Sequence, residues 1–335
     1  MEFTYFIGTD VSKNELDFAV MRGKTLLFHL EIGNTQEAIS DFIKELHKLP
    51  GFHLNQSVFC MEHTGIYNNH LLACLSKKKA NIWLEPAIQI KNSWGKLRGK
   101  NDKVDSIRIA DYAYTQRDKV RLWTPKREVI QQLGHLTAAR TRLIDAKKML
   151  KTPLMELGNF SSKKIAGLGV SICSHSLKAI DADLKRANQA IDKLIANDPE
   201  LRRLFSLITS VSGVGSVTAT QILITTNEFK DISNPKQYAC YAGVAPFTDE
   251  SGKIRKKARV SHMANKKVKK LLHLSAMVAL RYNEDIRVYY DRKVNEEKKN
   301  KMSVINAVRN KLILRIFACV NHDSPYQNNY QKLLA

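Results

Sequence analysis

Acidic side chains are scarce in this chain: 32 Asp plus Glu stand against 54 Lys plus Arg in 335 residues, a formal charge of +22 at pH 7. An ordinary small-metabolite enzyme has no use for such an excess. It points instead to a polyanionic partner, because each phosphate neutralised releases counterions and adds affinity. Cysteine is sparse as well. The five residues Cys60, Cys74, Cys173, Cys240 and Cys319 are odd in number and include no Cys-x-x-Cys pair, which excludes a disulfide framework or a cysteine zinc site and fits a reducing compartment. Long apolar runs are missing too. No stretch reaches the roughly 18 apolar residues of a membrane span, and the N-terminus meets Asp10 before a signal-type apolar region could form. The expectation is a cytoplasmic protein that binds nucleic acid rather than a membrane. At 44% apolar residues the chain is globular, and its length predicts about two domains.

Patterning divides the chain into three stretches. Residues 1–125 read as an α/β domain. FTYFIGTD, LDFAVMR and KTLLFHLEIGN are successive strands joined by short turns. Asn34 or Thr35 then caps a helix whose Ile39, Phe42, Ile43 and Leu46 share one face. SVFCME, TGIYNNHLLACLSKK and NIWLEP follow as strand, helix and strand, so the order βββαβαβ predicts a mixed sheet. Residues 126–199 change to a heptad-like pattern, clearest where Leu177, Ile180, Leu184, Ala187, Ile191 and Leu194 recur at three and four residues. This predicts an antiparallel helical hairpin turning through SSKKIAGLGVSICS, its first seam interrupted by Pro153. It serves either as internal core or as a coiled coil between subunits. Residues 200–335 are expected to be mainly helical.

Four acidic residues hold suggestive places. Asp10 and Glu62 each end a buried strand, the edge at which α/β folds place ligands. If the first and fourth strands are neighbours, the two carboxylates face each other. Asp102 and Asp105 open a helix three residues apart and share its face. Carboxylates that close repel one another unless a cation sits among them, and hard oxygen ligands favour Mg²⁺ or Mn²⁺. A two-metal site of this kind serves phosphoryl transfer.

The words GTDVSK around Asp10, MEHTGIY around Glu62 and NDKVDSIRIA around Asp102 and Asp105 resemble the DEDD set of the RuvC-like transposases of bacterial insertion sequences. That family includes the pilin gene invertases and the bridge-RNA-guided recombinases. The resemblance implies an RNase H-like fold over residues 1–125 and Mg²⁺ ligation by Asp10, Glu62, Asp102 and Asp105. It also implies DNA strand exchange by a homo-oligomer, a dimer or tetramer, working with a noncoding bridge RNA.

The C-terminal stretch extends the resemblance. ITSVSGVGSVTATQILI sets Gly213 and Gly215 in a turn between apolar helices. Such a turn can offer backbone N–H groups to a phosphate or simply join two tightly packed helices; the words resemble the family's helix-hairpin-helix element. Between Ser251 and Lys270 there are nine Lys or Arg and no acid, including Lys253, Arg255, Lys256, Lys257, Arg259, Lys266 and Lys267 as nucleic-acid contacts. Ser251, in a polar loop, is an unactivated hydroxyl on its own. By resemblance, GVAP followed by SG implies that Ser251 is the DNA nucleophile; Asp249 and Glu250 just before it depart from what phosphate binding favours. Two other readings compete with a recombinase: a hydrolytic RuvC-type endonuclease on branched DNA, and a binding scaffold without chemistry.

Overall fold

The structure, a computed structural model, describes residues 2–93, 101–251 and 254–327, with the backbone alone over 249–251 and 254–257. It comprises two compact units, Met1–Pro125 and Lys126–Ala335.

The first unit is built on a five-stranded sheet. Its strands are β1 (Tyr5–Val11), β2 (Glu15–Arg22), β3 (Thr25–Gly33), β4 (Ser57–Glu62) and β5 (Asn81–Glu85), arranged in the order β3-β2-β1-β4-β5. β1 to β3 form an antiparallel meander, whereas β4 runs parallel to β1 and β5 parallel to β4. This is the mixed sheet of an RNase H-like domain. Its helices are α1 (Gln36–Leu46), α2 (Asn69–Lys77), α3 (Ala87–Ser93) and α4 (Asp102–Thr115). Thr35 caps α1, its Oγ1 accepting from the Ala38 N–H at 3.3 Å.

Alternation along the strands decides which helix covers which face. Tyr5, Ile7, Leu16, Phe18, Phe59, Met61 and Ile82 pack with Ile39, Phe42, Ile43, Leu71 and Leu75 of α1 and α2. Phe6, Ala19, Met21, Val58, Cys60 and Trp83 pack with Ile109, Ala110, Tyr112 and Ala113 of α4. Tyr5, Phe6 and Trp83 are thus core residues.

The second unit opens with the helical hairpin, α5 (Glu128–Phe160) and α6 (Lys163–Asn197). Its turn is far shorter than expected. Ser162 caps α6 through the Ile165 N–H, so Gly167 and Gly169 lie inside a helix instead of in a loop. Pro153 sits within α5 without ending it. The hairpin is anchored at its base by Leu133, Ile191 and Ile195. Towards the turn Phe160 and Ile172 are 88% and 79% exposed.

Beyond it lie α7 (Pro199–Thr209), α8 (Ser216–Thr226), α9 (Pro235–Tyr241), β6 (Pro246–Ser251), β7 (Ile254–Val260), α10 (Lys266–Tyr282), α11 (Glu284–Asp291) and α12 (Lys301–Asn321). Leu204, Ile208, Leu223, Tyr238, Leu272, Ala276, Leu312, Ile316 and Phe317 form their core. The antiparallel β6–β7 hairpin was not foreseen, because charges fill IRKKARV and hide any alternation of apolar and polar positions. No helix among the described residues is long and apolar enough to cross a membrane.

One ionic junction ties the start of α5 to the loops after α6 and α8. Arg127 donates Nη1 to Asp198 Oδ2 at 2.8 Å and Nε to Glu228 Oε2 at 2.9 Å. The Glu228 side chain is 1% exposed and receives one further cation, Lys230, at 3.2 Å. Removing one member of such a group strands the other's charge. Arg127→Ala is therefore expected to destabilise the C-terminal unit by about 2–3 kcal/mol, below the full buried-pair cost because Arg127 is itself partly solvated. Denaturant midpoints check this, and adding Glu228→Gln to the Arg127→Ala chain should recover part of the loss.

Candidate functional site: an acidic cluster on the sheet edge

Glycine inside a strand weakens it unless something needs the space. Gly8 lies in the middle of β1 on the face that α4 covers. A Cβ there would fall 2.2 Å from the Ala110 N and 2.3 Å from the Ser106 carbonyl oxygen. The helix backbone therefore rests directly on the strand. Asp10, two residues on, points to the same face.

At the other end of the contact, Asn101 caps α4, its side chain accepting from the Lys103 N–H at 3.0 Å. The first turn of α4 carries Asp102 and Asp105. Carboxylate oxygens of Asp10, Asp102 and Asp105 lie within 4.8 Å of one another. Asp105 also receives Arg108 Nη1 at 2.7 Å.

This proximity is electrostatically costly. Burial, then the charges of Asp102 and Asp105, hold the Asp10 carboxyl above its ordinary range, against the opposing Val11 N–H; Asp17 adds a smaller push upward. Such repulsion is what a cation relieves. The all-oxygen donor set fits a hard divalent ion held by Asp10, Asp102 and Asp105.

Glu62 lies one step further along the sheet edge. The parallel register pairs Gly8 with Cys60 and Thr9 with Met61, so Glu62 ends β4 level with Asp10 and on the same face. It stands beside the three-carboxylate cluster without belonging to it. Its carbonyl accepts from Asn68 Nδ2 at 2.9 Å, which fixes the strand end.

Three residues escaped the sequence reading. Glu85 pairs with Glu62 across β4 and β5 and accepts from Trp83 Nε1 at 2.6 Å, while burial raises its carboxyl despite that bond and Arg121. Asp17 is the cross-strand partner of Asp10 and lies 2.8 Å from His29 Nε2. Gly8 is the third. The acid before Pro86, the acid opposite Asp10 in the meander and the glycine inside an otherwise apolar strand were the available signals.

The C-terminal residues are separately placed. Gly213 has φ +91°, and a Cβ there would lie 2.6 Å from the Ser275 carbonyl oxygen and 2.7 Å from the Ala279 N. Its smallness serves the packing of that turn on α10. Gly215 precedes α8 with open space around it. Ser251 ends β6, its backbone paired with Ile254. The side chains of Ser251, Arg255, Lys256 and Lys257, and all of Lys253, lie outside the described residues. Arg259 is exposed on β7 opposite Phe247, and Lys266 is exposed at the start of α10. Lys267 is held below the usual lysine range, first by partial burial and then by Arg140.

Two family descriptions match this chain. Residues 7–157, which include Asp10, Glu62, Asp102 and Asp105, match the transposases of the DEDD, IS110 type. Residues 205–291, which include Ser251, match the transposase IS116/IS110/IS902 family. Among similar proteins are the pilin gene-inverting proteins of Moraxella lacunata and Moraxella bovis. Each is 22% identical over 330 residues, 96% of this chain and 97% of the relative. A 43.6 kDa protein of insertion element IS110 from Streptomyces coelicolor is 26% identical over 153 residues, 46% of this chain and 36% of its own length.

Proposed function

The chain belongs to the DEDD, IS110-type transposases and is a DNA transposase/recombinase; from that premise we propose that it cuts and rejoins DNA at the ends of a mobile element with the acidic cluster and Ser251 as its chemical groups. The observation that carries this reading is the convergence of Asp10, Asp102 and Asp105 within 4.8 Å.

Asp10, Asp102 and Asp105, with Glu62 beside them, would hold Mg²⁺ or Mn²⁺, which when bound supplies positive charge to a reacting phosphate. The Ser251 hydroxyl adds to phosphorus, the bond to the leaving oxygen breaks, and that oxygen takes up a proton while one strand end stays on the serine as a phosphodiester. The reverse step joins the held end to a new hydroxyl. Cationic side chains from Lys253 to Lys267 neutralise the strands, and a noncoding bridge RNA selects the target by base pairing. Homo-oligomer formation brings the acidic unit of one copy to the serine of another. The apolar residues exposed near the hairpin turn, among them Phe160 and Ile172, support pairing between copies.

The test incubates the protein with Mg²⁺, DNA flanking its gene and RNA transcribed from that flank, and looks for a protein–DNA adduct that survives denaturation. The adduct is expected with wild type and absent with Ser251→Ala. Cleaved DNA without an adduct, unaffected by Ser251→Ala, would overturn the serine step and leave a hydrolytic nuclease. Omitting the RNA tests guidance in the same assay. Activity recovered by mixing Glu62→Ala and Ser251→Ala chains would support assembly between copies.

A further inference from the structure

Lys269 stands beside the turn that leads into β6 and Arg309 is joined to it through Asn306, and neither cation has an acidic partner among the described residues. Gly243 has φ +63°, and a Cβ there would lie 2.3 Å from the Ala264 Cβ and 3.6 Å from Lys269 Nζ. The next carbonyl, that of Val244, accepts from Asn306 Nδ2 at 2.7 Å. One turn along α12, Arg309 is only 6% exposed. Its Nη2 meets His273 Nδ1 at 2.7 Å, its Nη1 reaches Asn306 Oδ1 at 3.4 Å, and its Nε has no partner among the described residues.

A buried guanidinium is normally matched by a carboxylate, since an uncompensated buried charge is costly. None is supplied to Arg309 by the described residues. Its neighbour is instead a histidine. Because arginine can only donate, His273 Nδ1 accepts, and the neutral ring carries its proton on Nε2. Burial, then the charge of Arg309, keeps His273 below its ordinary range and so neutral. His273 lies four residues after Lys269 on α10 and shares its helical face. The Lys269 ammonium thus lies beside the glycine turn, and the Arg309 guanidinium with its His273 partner is joined to the same turn through Asn306, which holds the Val244 carbonyl.

We propose that Lys269, His273 and Arg309 form a phosphodiester-binding site at the Gly243–Pro246 turn, which seats a backbone phosphate of DNA or RNA at the base of the β6–β7 hairpin. The inference rests on the reading of the protein as a nucleic-acid enzyme. It names residues outside the cationic contacts already assigned. Since β6 carries Ser251 roughly 17 Å along the strand from Pro246, the phosphate held here is distinct from the one attacked. The three side chains are positioning residues, setting the register of the strand on the hairpin.

The experiment measures fluorescence anisotropy of a labelled DNA duplex and a labelled RNA hairpin with full-length wild type, Arg309→Met and Lys269→Gln across a salt series. Each substitution is expected to weaken binding about three- to tenfold and to reduce the salt slope by about 0.9, the value of one phosphate contact. Thermal unfolding of Arg309→Met should be unchanged or raised, because an apolar replacement of an unpaired buried charge is neutral or stabilising. A role confined to joining α10 and α12 would lower stability and leave the salt slope intact. If Arg309→Met does not fold, the more exposed Lys269→Gln decides. Loss on one probe alone assigns the site to that nucleic acid. Wild-type affinity and slope in both variants would overturn the site while leaving the proposed function standing. Failure of wild type to bind either probe would remove both.

Discussion

An Asp10→Asn chain is expected to lose DNA cleavage by about a thousandfold or more while folding at least as well as wild type. A factor of a thousand corresponds to about 4 kcal/mol of transition-state stabilisation, the scale on which groups that counter developing charge act. The gain in stability comes from the same geometry. With no cation bound, Asp10 is held among Asp102, Asp105 and Asp17, and burial and these charges raise its carboxyl above the ordinary value of 3.8. A carboxyl whose folded pKa lies above its unfolded one binds protons more readily when folded. Its penalty is therefore absent below the unfolded value, grows as pH rises through the window between the two, and is complete at neutral pH. In chelator, wild type should gain stability on acidification through that window, and Asp10→Asn should lack this component. Adding Mg²⁺ at neutral pH should raise the melting temperature of wild type and raise that of Asp10→Asn much less. Cleavage assays beside melting curves check both halves. Full activity in Asp10→Asn, or an equal Mg²⁺ shift in both chains, would remove Asp10 from the site.

Gly8→Ala is expected to damage the N-terminal unit more than any surface substitution. The added methyl would stand 2.2 Å from one backbone atom of α4 and 2.3 Å from another. Neither can turn aside as a flexible side chain would, so the helix or the strand must move. Overpacking of this kind costs about 3 kcal/mol or more, roughly a 10 °C drop in the melting of a unit this size. The functional loss should exceed what unfolding explains, because α4 also carries Asp102 and Asp105. Below its melting temperature, Gly8→Ala should show little cleavage and a diminished Mg²⁺ shift. A variant with wild-type stability and activity would mean that α4 does not rest on β1 as described.

Much of this architecture is local in origin and so legible along the chain. The strands of the first domain appear as short apolar runs broken by turns, and Thr35 and Asn101 stand where capping chemistry starts α1 and α4. The hairpin turn was misplaced because Gly167 and Gly169 read as loop residues, while the Ser162 cap and the continuous apolar spacing outweigh their weak helix preference. Charges concealed β6 and β7. Glu85 and Asp17 went unnoticed because their relation to the acidic cluster is one of strand register, which no local window contains.

By itself the sequence determined the order of elements from β1 to β5, the identity of the acids and the uneven distribution of charge, since these depend on neighbouring residues and composition. Only the tertiary structure decided which acids meet. Asp10 and Asp105 are 95 positions apart, and they converge because Gly8 lets α4 lie on β1. Glu62 reaches the same edge through the parallel pairing of β1 and β4. The buried charge of Arg309 is likewise a tertiary fact: nothing in AVRNK announces a guanidinium facing a histidine. Hydrogen bonding and apolar periodicity act over a few residues, whereas like charges can be forced together, or a cation left unpaired, only by packing that the rest of the fold sustains.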